Sequence, residues 1–193
     1  MYRTIQMGGR GTKKYLLAGV LLFSVLLLAM LGAQNALAVS TGFQYYYEPS
    51  NWTEFTDGNG VVIANNQAIK IIGSGESGKQ CGIEANPDVN CDTDFFIVIP
   101  CDGSVVFDWY WANQDENPDF DQGGYLINGA FTRIDNVGTP GLFPENSLGS
   151  KNVPVSAGDI FGFRVLSVDD LSGDGSLTIF EFSAPLSCRV ANE

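Results

Sequence analysis

Histidine is absent from this chain, and lysine and arginine are scarce after its first residues. Without histidine, the Ser-His and Cys-His nucleophile pairs and the usual zinc and copper ligand sets are excluded. All 22 acidic residues but only six of the 10 basic ones follow residue 38, which gives that part a formal charge of −16. Nucleic acid and anionic membranes require a basic surface and are therefore poor partners, whereas a cation is compatible.

Long apolar runs are also missing after residue 38. The one run that is long enough to cross a bilayer, Tyr15 to Ala33, follows a basic N-terminal segment and precedes the small-residue pattern Ala36-Leu37-Ala38. This order predicts a signal peptide over residues 1–38, cut before Val39. The alternative is an uncleaved N-terminal anchor with the domain outside the cell. Both predict a secreted or cell-surface protein without a further membrane segment.

Amphipathic helical periodicity is not found in residues 39–193. Short strand-like runs alternate there with turns rich in Gly, Asn and Asp, a pattern typical of a sandwich or barrel. The length suits a single domain. We therefore predict an all-β fold, a two-sheet antiparallel β-sandwich over residues 39–193.

The most informative stretch of the sequence is Val105 to Phe131, around which the rest of the predicted fold is arranged. Apolar residues at Val105, Phe107, Trp109 and Trp111 have the period of two that predicts a strand with one buried face. An acidic loop follows, and a second strand is predicted from Tyr125. The stretch therefore predicts a rigid strand that ends in a negatively charged rim.

Other strands are predicted from shorter patterns. Residues 42–47 are aromatic and strand-prone, and residues 94–100 form an apolar run that Cys101-Asp102-Gly103 connects to the organising strand as a hairpin. Residues 135–150 are predicted to be a loop before a short strand at 153–156. Residues 160–168 and 176–184 predict the last two strands.

Four cysteines follow residue 38, in keeping with two disulfides in an oxidising compartment. Three pairings are open. The short separation favours Cys81 with Cys91, which leaves Cys101 with Cys188. A zinc site of four thiolates is the alternative, although the spacings include no C-x-x-C pair.

The chain resembles the CUB-like, jelly-roll β-sandwich modules of bacterial secreted and surface proteins. The matching segments are Val106 to Trp109, Pro118 to Gly129, Val155 to Asp169 and Thr178 to Pro185. The resemblance implies a sandwich fold, and it implies calcium binding at Phe120-Asp121 and Ser167-Val168-Asp169. The CUB cysteine pattern does not map onto this chain.

Clustered carboxylates are the second basis for expecting calcium, because Ca²⁺ takes six to eight oxygen ligands. The candidate metal ligands lie in two acidic segments that the two long strands are expected to bring to one edge. They are Asp115, Asp119, Asp121, Asp169, Asp170 and Asp174. The alternative is a solvated acidic loop.

Residues 170–181 also fit the oxygen positions, the glycine and the terminal glutamate of an EF-hand loop. Both flanks predict strands, whereas the EF-hand requires helices. The alternative is a hairpin turn whose glycines supply positive φ.

Aromatic side chains raise the hypothesis of a sugar site, although sandwich cores use the same residues. Tyr46 and Tyr110 are expected to be exposed, and Trp109 and Trp111 buried. The tyrosines at 45, 47 and 125 and Trp52 complete the aromatic set.

The function predicted from these features is a secreted, non-catalytic binding or adhesion module, stabilised by calcium, whose partner is an extracellular protein or glycan. The second prediction is a structural subunit of an extracellular layer or fibre, which self-associates through an exposed strand edge. The third is a carbohydrate-binding or polysaccharide-acting protein, an enzyme of this kind using Glu116 with Asp119 or Asp121.

Overall fold

The computed structural model describes residues 38–75, 91–113, 119–135, 145–168 and 174–188, all of which belong to one compact unit, residues 37–193. Short 3-10 helices occur at Tyr45–Tyr47 and Pro49–Asn51. The strands are β1 (Val39–Thr41), β2 (Thr53–Thr56), β3 (Val61–Ala64), β4 (Ile69–Ile72), β5 (Cys91–Val98), β6 (Gly103–Asn113), β7 (Asp121–Ile127), β8 (Ala130–Arg133), β9 (Glu145–Val155), β10 (Ile160–Ser167) and β11 (Ser176–Pro185).

These strands form two antiparallel sheets. The first sheet has the order β3-β4-β11-β6-β9, with β1 added on β11, and the second has the order β2-β5-β10-β7-β8. The predicted all-β sandwich is thereby confirmed. A sandwich is what the structure shows, and the narrower likeness to CUB modules stays a prediction.

The core lies between the sheets and is built from aromatic residues at alternate strand positions. Phe107 of β6 packs edge-on against Phe161 and Phe163 of β10. Trp109 and Trp111 of β6 belong to the same core, and all five residues are buried. Fully burying one such side chain contributes roughly 1.5–3 kcal/mol. The period-two prediction for β6 and the buried face of β10 is therefore confirmed.

Because side chains alternate between the two faces of a strand, the other face of the first sheet points toward solvent. One row across it is set by register: Ile63 opposite Lys70, Lys70 opposite Thr178, Thr178 opposite Tyr110, and Tyr110 opposite Leu148. Ile63, Tyr110 and Leu148 are exposed. We call this surface the outer face of the first sheet.

Three predictions about strands are wrong. Residues 42–47 include a 3-10 turn rather than a strand, because Tyr45 adopts a positive φ of 57° that ends extended structure. β5 and β6 belong to different sheets, so residues 101–103 connect the sheets instead of closing a hairpin. β9 occupies residues 145–155, since β6 supplies hydrogen-bonding partners along its whole length and extends the strand through polar residues.

Cys101 and Cys188 form a disulfide, as predicted. It closes a separation of 87 residues, and chain entropy gives such a bridge about 4–5 kcal/mol. Cys91 is disulfide-bonded as well, whereas Cys81 lies outside the described residues. No cysteine in the described ranges is free, so the zinc alternative is wrong.

The two ends of the described fold meet. The backbone N–H of Leu186 donates to the carbonyl of Ala38 at 2.9 Å, and the N–H of Ala38 donates to Oγ of Ser187 at 3.2 Å. Ala38, the last residue of the predicted export segment, therefore lies beside the end of β11, immediately before β1. Over the ranges that the structure describes, no helix has the length and apolarity needed to cross a membrane.

Candidate functional site

An open depression of about 460 Å³ lies beside β11, on the side where β1 and the β3–β4 turn approach it. Amide side chains, one carboxylate and one aromatic ring dominate its lining. The lining residues are Thr41, Gly42, Gln44, Asn66, Gln67, Ala68, Phe180 and Glu181. We call this feature the Phe180 depression.

The first wall is the chain that leaves β1. Gly42 has a φ of 71° and donates its N–H to the carbonyl of Phe182 at 2.7 Å. A Cβ at Gly42 would lie 2.8 Å from the carbonyl oxygen of Asn66. Glycine is required here because both the positive φ and this close approach exclude a side chain. Gln44, which follows this turn, is exposed and lines the depression.

The second wall is the turn between β3 and β4. Oδ1 of Asn65 accepts hydrogen bonds from the backbone N–H groups of Gln67 and Ala68 at 2.8 and 3.0 Å. Such a turn, in which an Asn side chain replaces a backbone acceptor, fixes the two following residues. Asn66 and Gln67 are both exposed and both line the depression.

The floor comes from an irregularity in β11. Pairing with β6 is regular up to Phe180 and resumes at Ser183, and Glu181 between them has a φ of 47°. This conformation is rare for residues other than glycine and aspartate or asparagine. At the bulge, half-buried Phe180 and exposed Glu181 both line the depression, while Phe182 stays in the core.

A second assembly of polar groups lies where β7 begins and β10 ends. Asp121 pairs in register with Ser167, and the N–H of Val168 donates to the carbonyl of Phe120 at 2.6 Å. Asp121 is buried, and its Oδ2 accepts a hydrogen bond from the N–H of Gly175 at 2.8 Å. Residues far apart in the sequence thus meet at one rim of the sandwich, which we call the aspartate rim.

Asp119 and Asp135 are held at this end by one cation. Arg133 donates to Oδ1 of Asp119 at 2.9 Å and to Oδ1 of Asp135 at 2.7 Å. Burial raises the pKa of Asp135 against the lowering effect of Arg133. The guanidinium thereby neutralises part of the negative charge that the sequence places here.

The remaining predicted metal ligands divide into two groups. Asp174 is an exposed residue next to Gly175, close in sequence to the hydrogen bond on Asp121. Asp115, Asp169 and Asp170, together with Glu116, lie outside the described residues. Within the described ranges, no three His, Cys, Asp or Glu side chains converge in a way that would hold a metal ion.

The EF-hand alternative does not fit the chain after Gly175. That segment is the strand β11, not a helix. An extended strand carries Glu181 roughly 20 Å from Asp174, whereas the terminal glutamate of an EF-hand turns back to the loop. Glu181 instead lines the Phe180 depression.

The aromatic predictions are confirmed. Trp109 and Trp111 are buried, and Tyr46 and Tyr110 are each 39% exposed. Tyr46 is fixed by a hydrogen bond from its hydroxyl to the carbonyl of Val98 at 2.9 Å. Neither Tyr46 nor Tyr110, nor Tyr45, which is 68% exposed, lines the Phe180 depression.

The sequence reasoning missed the depression. Its amides come from two turns, and its aromatic ring comes from a strand that shows the same apolar alternation as the core. The available signal was the doubled polar pattern at Asn65-Asn66-Gln67, together with the break in alternation at Phe180-Glu181, where a bulge shifts the facing of the strand.

No protein-family model and no curated protein sequence matches this chain. Among solved structures, the N-terminal cellulose-binding domain of β-1,4-glucanase C from Cellulomonas fimi is 11% identical, with a TM-score of 0.36 over 72% of this chain and 91% of that chain.

TmCBM61, solved in complex with β-1,4-galactotriose, is 13% identical, with a TM-score of 0.39 over 75% of this chain and 94% of that chain. The family 11 carbohydrate-binding module of a Clostridium thermocellum cellulosomal cellulase is 7% identical, with a TM-score of 0.34 over 82% and 100% of the two chains. Likenesses at this level do not indicate what the present chain binds.

Proposed function

We propose that this protein is an extracellular, non-catalytic module that binds a neutral glycan in the Phe180 depression. The observation that carries the proposal is the lining of that depression, which combines three residues with amide side chains, one with a carboxylate and one with an aromatic ring. This proposal keeps the non-catalytic binding function predicted from the sequence. It narrows the predicted partner from an extracellular protein or glycan to a glycan.

The chemistry of the lining matches a sugar. An amide side chain both donates and accepts hydrogen bonds, as does every sugar hydroxyl, and Gln44, Asn66 and Gln67 supply three such groups. Phe180 adds an apolar surface of the kind on which the C–H face of a sugar ring packs. A few placed polar groups around an apolar surface are typical of small-ligand sites.

The charges of the lining favour a neutral ligand. Glu181 is its one ionised side chain, and no lysine or arginine is present among the lining residues. A carboxylate accepts hydrogen bonds from hydroxyl groups but repels uronate or phosphate. Neutral hexoses or pentoses in a chain are therefore the expected class.

A binding role is also favoured over hydrolysis. Glycosidases flank the scissile bond with two carboxyl groups, about 5–10 Å apart, whereas the lining of the depression contributes Glu181 alone. At the aspartate rim, Asp119 and Asp121 are already engaged by Arg133 and by the N–H of Gly175. These engagements leave neither carboxylate well placed for acid–base chemistry.

The test uses the protein produced from the full-length sequence in an exporting host, probed first on a glycan array and then by calorimetry with the best neutral oligosaccharide. Gln44→Ala and Gln67→Ala should together weaken binding by about tenfold or more, since each removes hydrogen bonds worth on the order of 1 kcal/mol. Phe180→Ala should abolish measurable binding.

The matched control is Phe55→Ala, which removes an exposed aromatic side chain from β2 of the other sheet and should leave the affinity unchanged. No binding across neutral glycans would refute the proposal. Equal losses for Phe55→Ala and Phe180→Ala would refute the assignment to this depression.

Calcium at the aspartate rim stays a prediction, with Asp119, Asp121 and Asp174 as its described members. Carboxylates drawn from two parts of the chain support it, because a cation would offset their mutual repulsion. Calcium should raise Tm, and Asp121→Asn should remove that rise. A Tm that is the same in calcium and in EDTA would contradict the prediction of a calcium site.

A further inference from the structure

Strand β9 differs from the other strands that end a sheet. It is 11 residues long, whereas β2, β3 and β8 have four residues each. It pairs with β6 in unbroken register from Val155 to Glu145, and no strand within the described ranges pairs with its other side. A long regular edge offers a row of backbone donors and acceptors to another strand, which natural proteins usually prevent by keeping edge strands short.

The middle of β9 carries an apolar residue at the outer face of the first sheet. Leu148 is 73% exposed, the highest value among the large hydrophobic residues of the described chain. Its register partner on β6 is Tyr110, which is exposed on the same face. The edge and the apolar residue therefore occur at the same place.

The charges of β9 are arranged symmetrically about Leu148. Glu145 lies three residues before it and Lys151 lies three residues after it. If a second β9 pairs antiparallel across a two-fold axis at Leu148, each residue faces the one equally far on the other side of that leucine. Lys151 of one copy is then opposite Glu145 of the other, at two equivalent places.

We propose that two copies of this chain associate through β9, in antiparallel two-fold register centred on Leu148. The occupant of the edge is the second copy because this register is complementary to itself in charge. Leu148 meets Leu148 of the second copy, and directly opposite residues have Cβ atoms about 4.5–5.5 Å apart. Both leucines then continue the apolar row that begins at Tyr110.

The register also accounts for the proline in β9. Pro154 cannot donate to a ladder, but it lies beyond the segment 145–151 that the two-fold pairing uses. The paired contact surface is isologous, and an isologous contact closes as a dimer rather than growing into a fibre. The two first sheets become one continuous sheet of two halves, independent of whether the Phe180 depression binds a glycan.

Charge reversal tests the register in the full-length protein by sedimentation equilibrium over a series of concentrations. Lys151→Glu alone and Glu145→Lys alone should each weaken the dimer by on the order of tenfold or more, since like charges then face each other twice. The double variant Glu145→Lys with Lys151→Glu should restore dimerisation to within about threefold of the parent, because opposite charges again face each other.

Lys70→Glu is the matched control, since it reverses an exposed cation on β4 of the same sheet, away from the β9 edge. It should leave the dimer constant unchanged. Circular dichroism and Tm identify any variant that fails to fold, and the double variant is then compared with the single variant that does fold. A strict monomer at all concentrations overturns the proposal, as does a dimer that both single reversals leave intact or that the double reversal does not restore.

Discussion

On the outer face of the second sheet, Arg164 lies between two carboxylates, whereas the outer face of the first sheet leaves Tyr110 and Leu148 open to solvent. Arg164 donates to both oxygens of Asp94 at 2.7 Å and approaches Asp92 at 2.8 Å. At this place the second face is covered by an ion-paired cluster of the chain itself, whereas Phe55, Val98 and Ile160 are exposed elsewhere on the second sheet. The first face is where a ligand or a second copy finds unoccupied surface.

The contrast extends to the backbone. Gly162 in the middle of β10 lies directly against the chain of β5, where a Cβ would be 2.6 Å from Cβ of Phe96. The second face is thus tightly packed as well as ion-paired. Two proposals, glycan binding and dimerisation, both use the first sheet, and the following predictions measure how far the second sheet differs.

The largest effect is expected for Arg164→Met. Its removal leaves Asp94, which is 5% exposed, without its cation, and breaking a buried pair in this way costs about 3–5 kcal/mol. Urea unfolding measures the loss. The matched substitution Lys70→Met on the first sheet removes an exposed cation and should change stability by less than about 0.5 kcal/mol. Equal losses for both would remove the contrast between the faces.

A smaller effect is expected for Gly162→Ala. The added methyl must displace Cβ of Phe96 and the carbonyl oxygen of Phe95, the latter 2.8 Å away, and overpacking of this kind costs about 1–3 kcal/mol. Gly149→Ala in β9 is the comparison, because its new Cβ would be 3.0 Å from the ring of Trp109. Thermal unfolding should show the smaller decrease for Gly149→Ala, and the reverse order would contradict the packing argument.

The smallest effect is a pH dependence. Burial raises the pKa of Asp92 from its ordinary value of 3.8, against the opposing effect of Arg164. The folded protein then binds the proton more tightly than the unfolded chain, so this group's contribution to stability falls as pH rises from about 4 through the folded pKa. Relative to the parent, Asp92→Asn should therefore gain stability progressively over that window in urea titrations.

Asp159 gives the opposite sign and serves as the control. Hydrogen bonds from the N–H of Ser156 and from Asn128 lower its pKa. Its contribution is present above the ordinary value and is lost as pH falls through the folded pKa. The stabilities of Asp159→Asn and the parent should therefore converge in acid, and parallel profiles for both variants would contradict the two shifts.

The alternation of apolar and polar residues was sufficient to predict strands that have one buried face. The alternation in β6 and β10 identified both strands and their inward aromatic residues, and the Asn128-Gly129 turn between β7 and β8 has the positive φ values of 51° and 83° that a tight hairpin requires. In these segments, the sequence period and the environment agree, so the prediction needed no knowledge of the partner strands.

Prediction failed where a neighbouring strand or turn, and not the local sequence, determines the structure of a segment. Residues 145–150 are polar and glycine-containing, and β6 alone makes them a strand. The Phe180 depression joins a turn after β1, a turn after β3 and a bulge in β11, and no local signal reports that these three meet. The pairing of Asp121 with Ser167 follows from the contact between β7 and β10, which the sequence did not predict. The expectation that both acidic segments share one edge stays a prediction, because Asp169 and Asp170 lie outside the described residues.

The hydrogen bonds between Ala38 and residues 186–187 bring the start and the end of the fold side by side. The protein should therefore tolerate circular permutation. A short linker would join the two adjacent ends, and new termini would be placed at the exposed Asn128-Gly129 turn. The order of the strands along the polypeptide would change while their neighbours in the sandwich stayed the same.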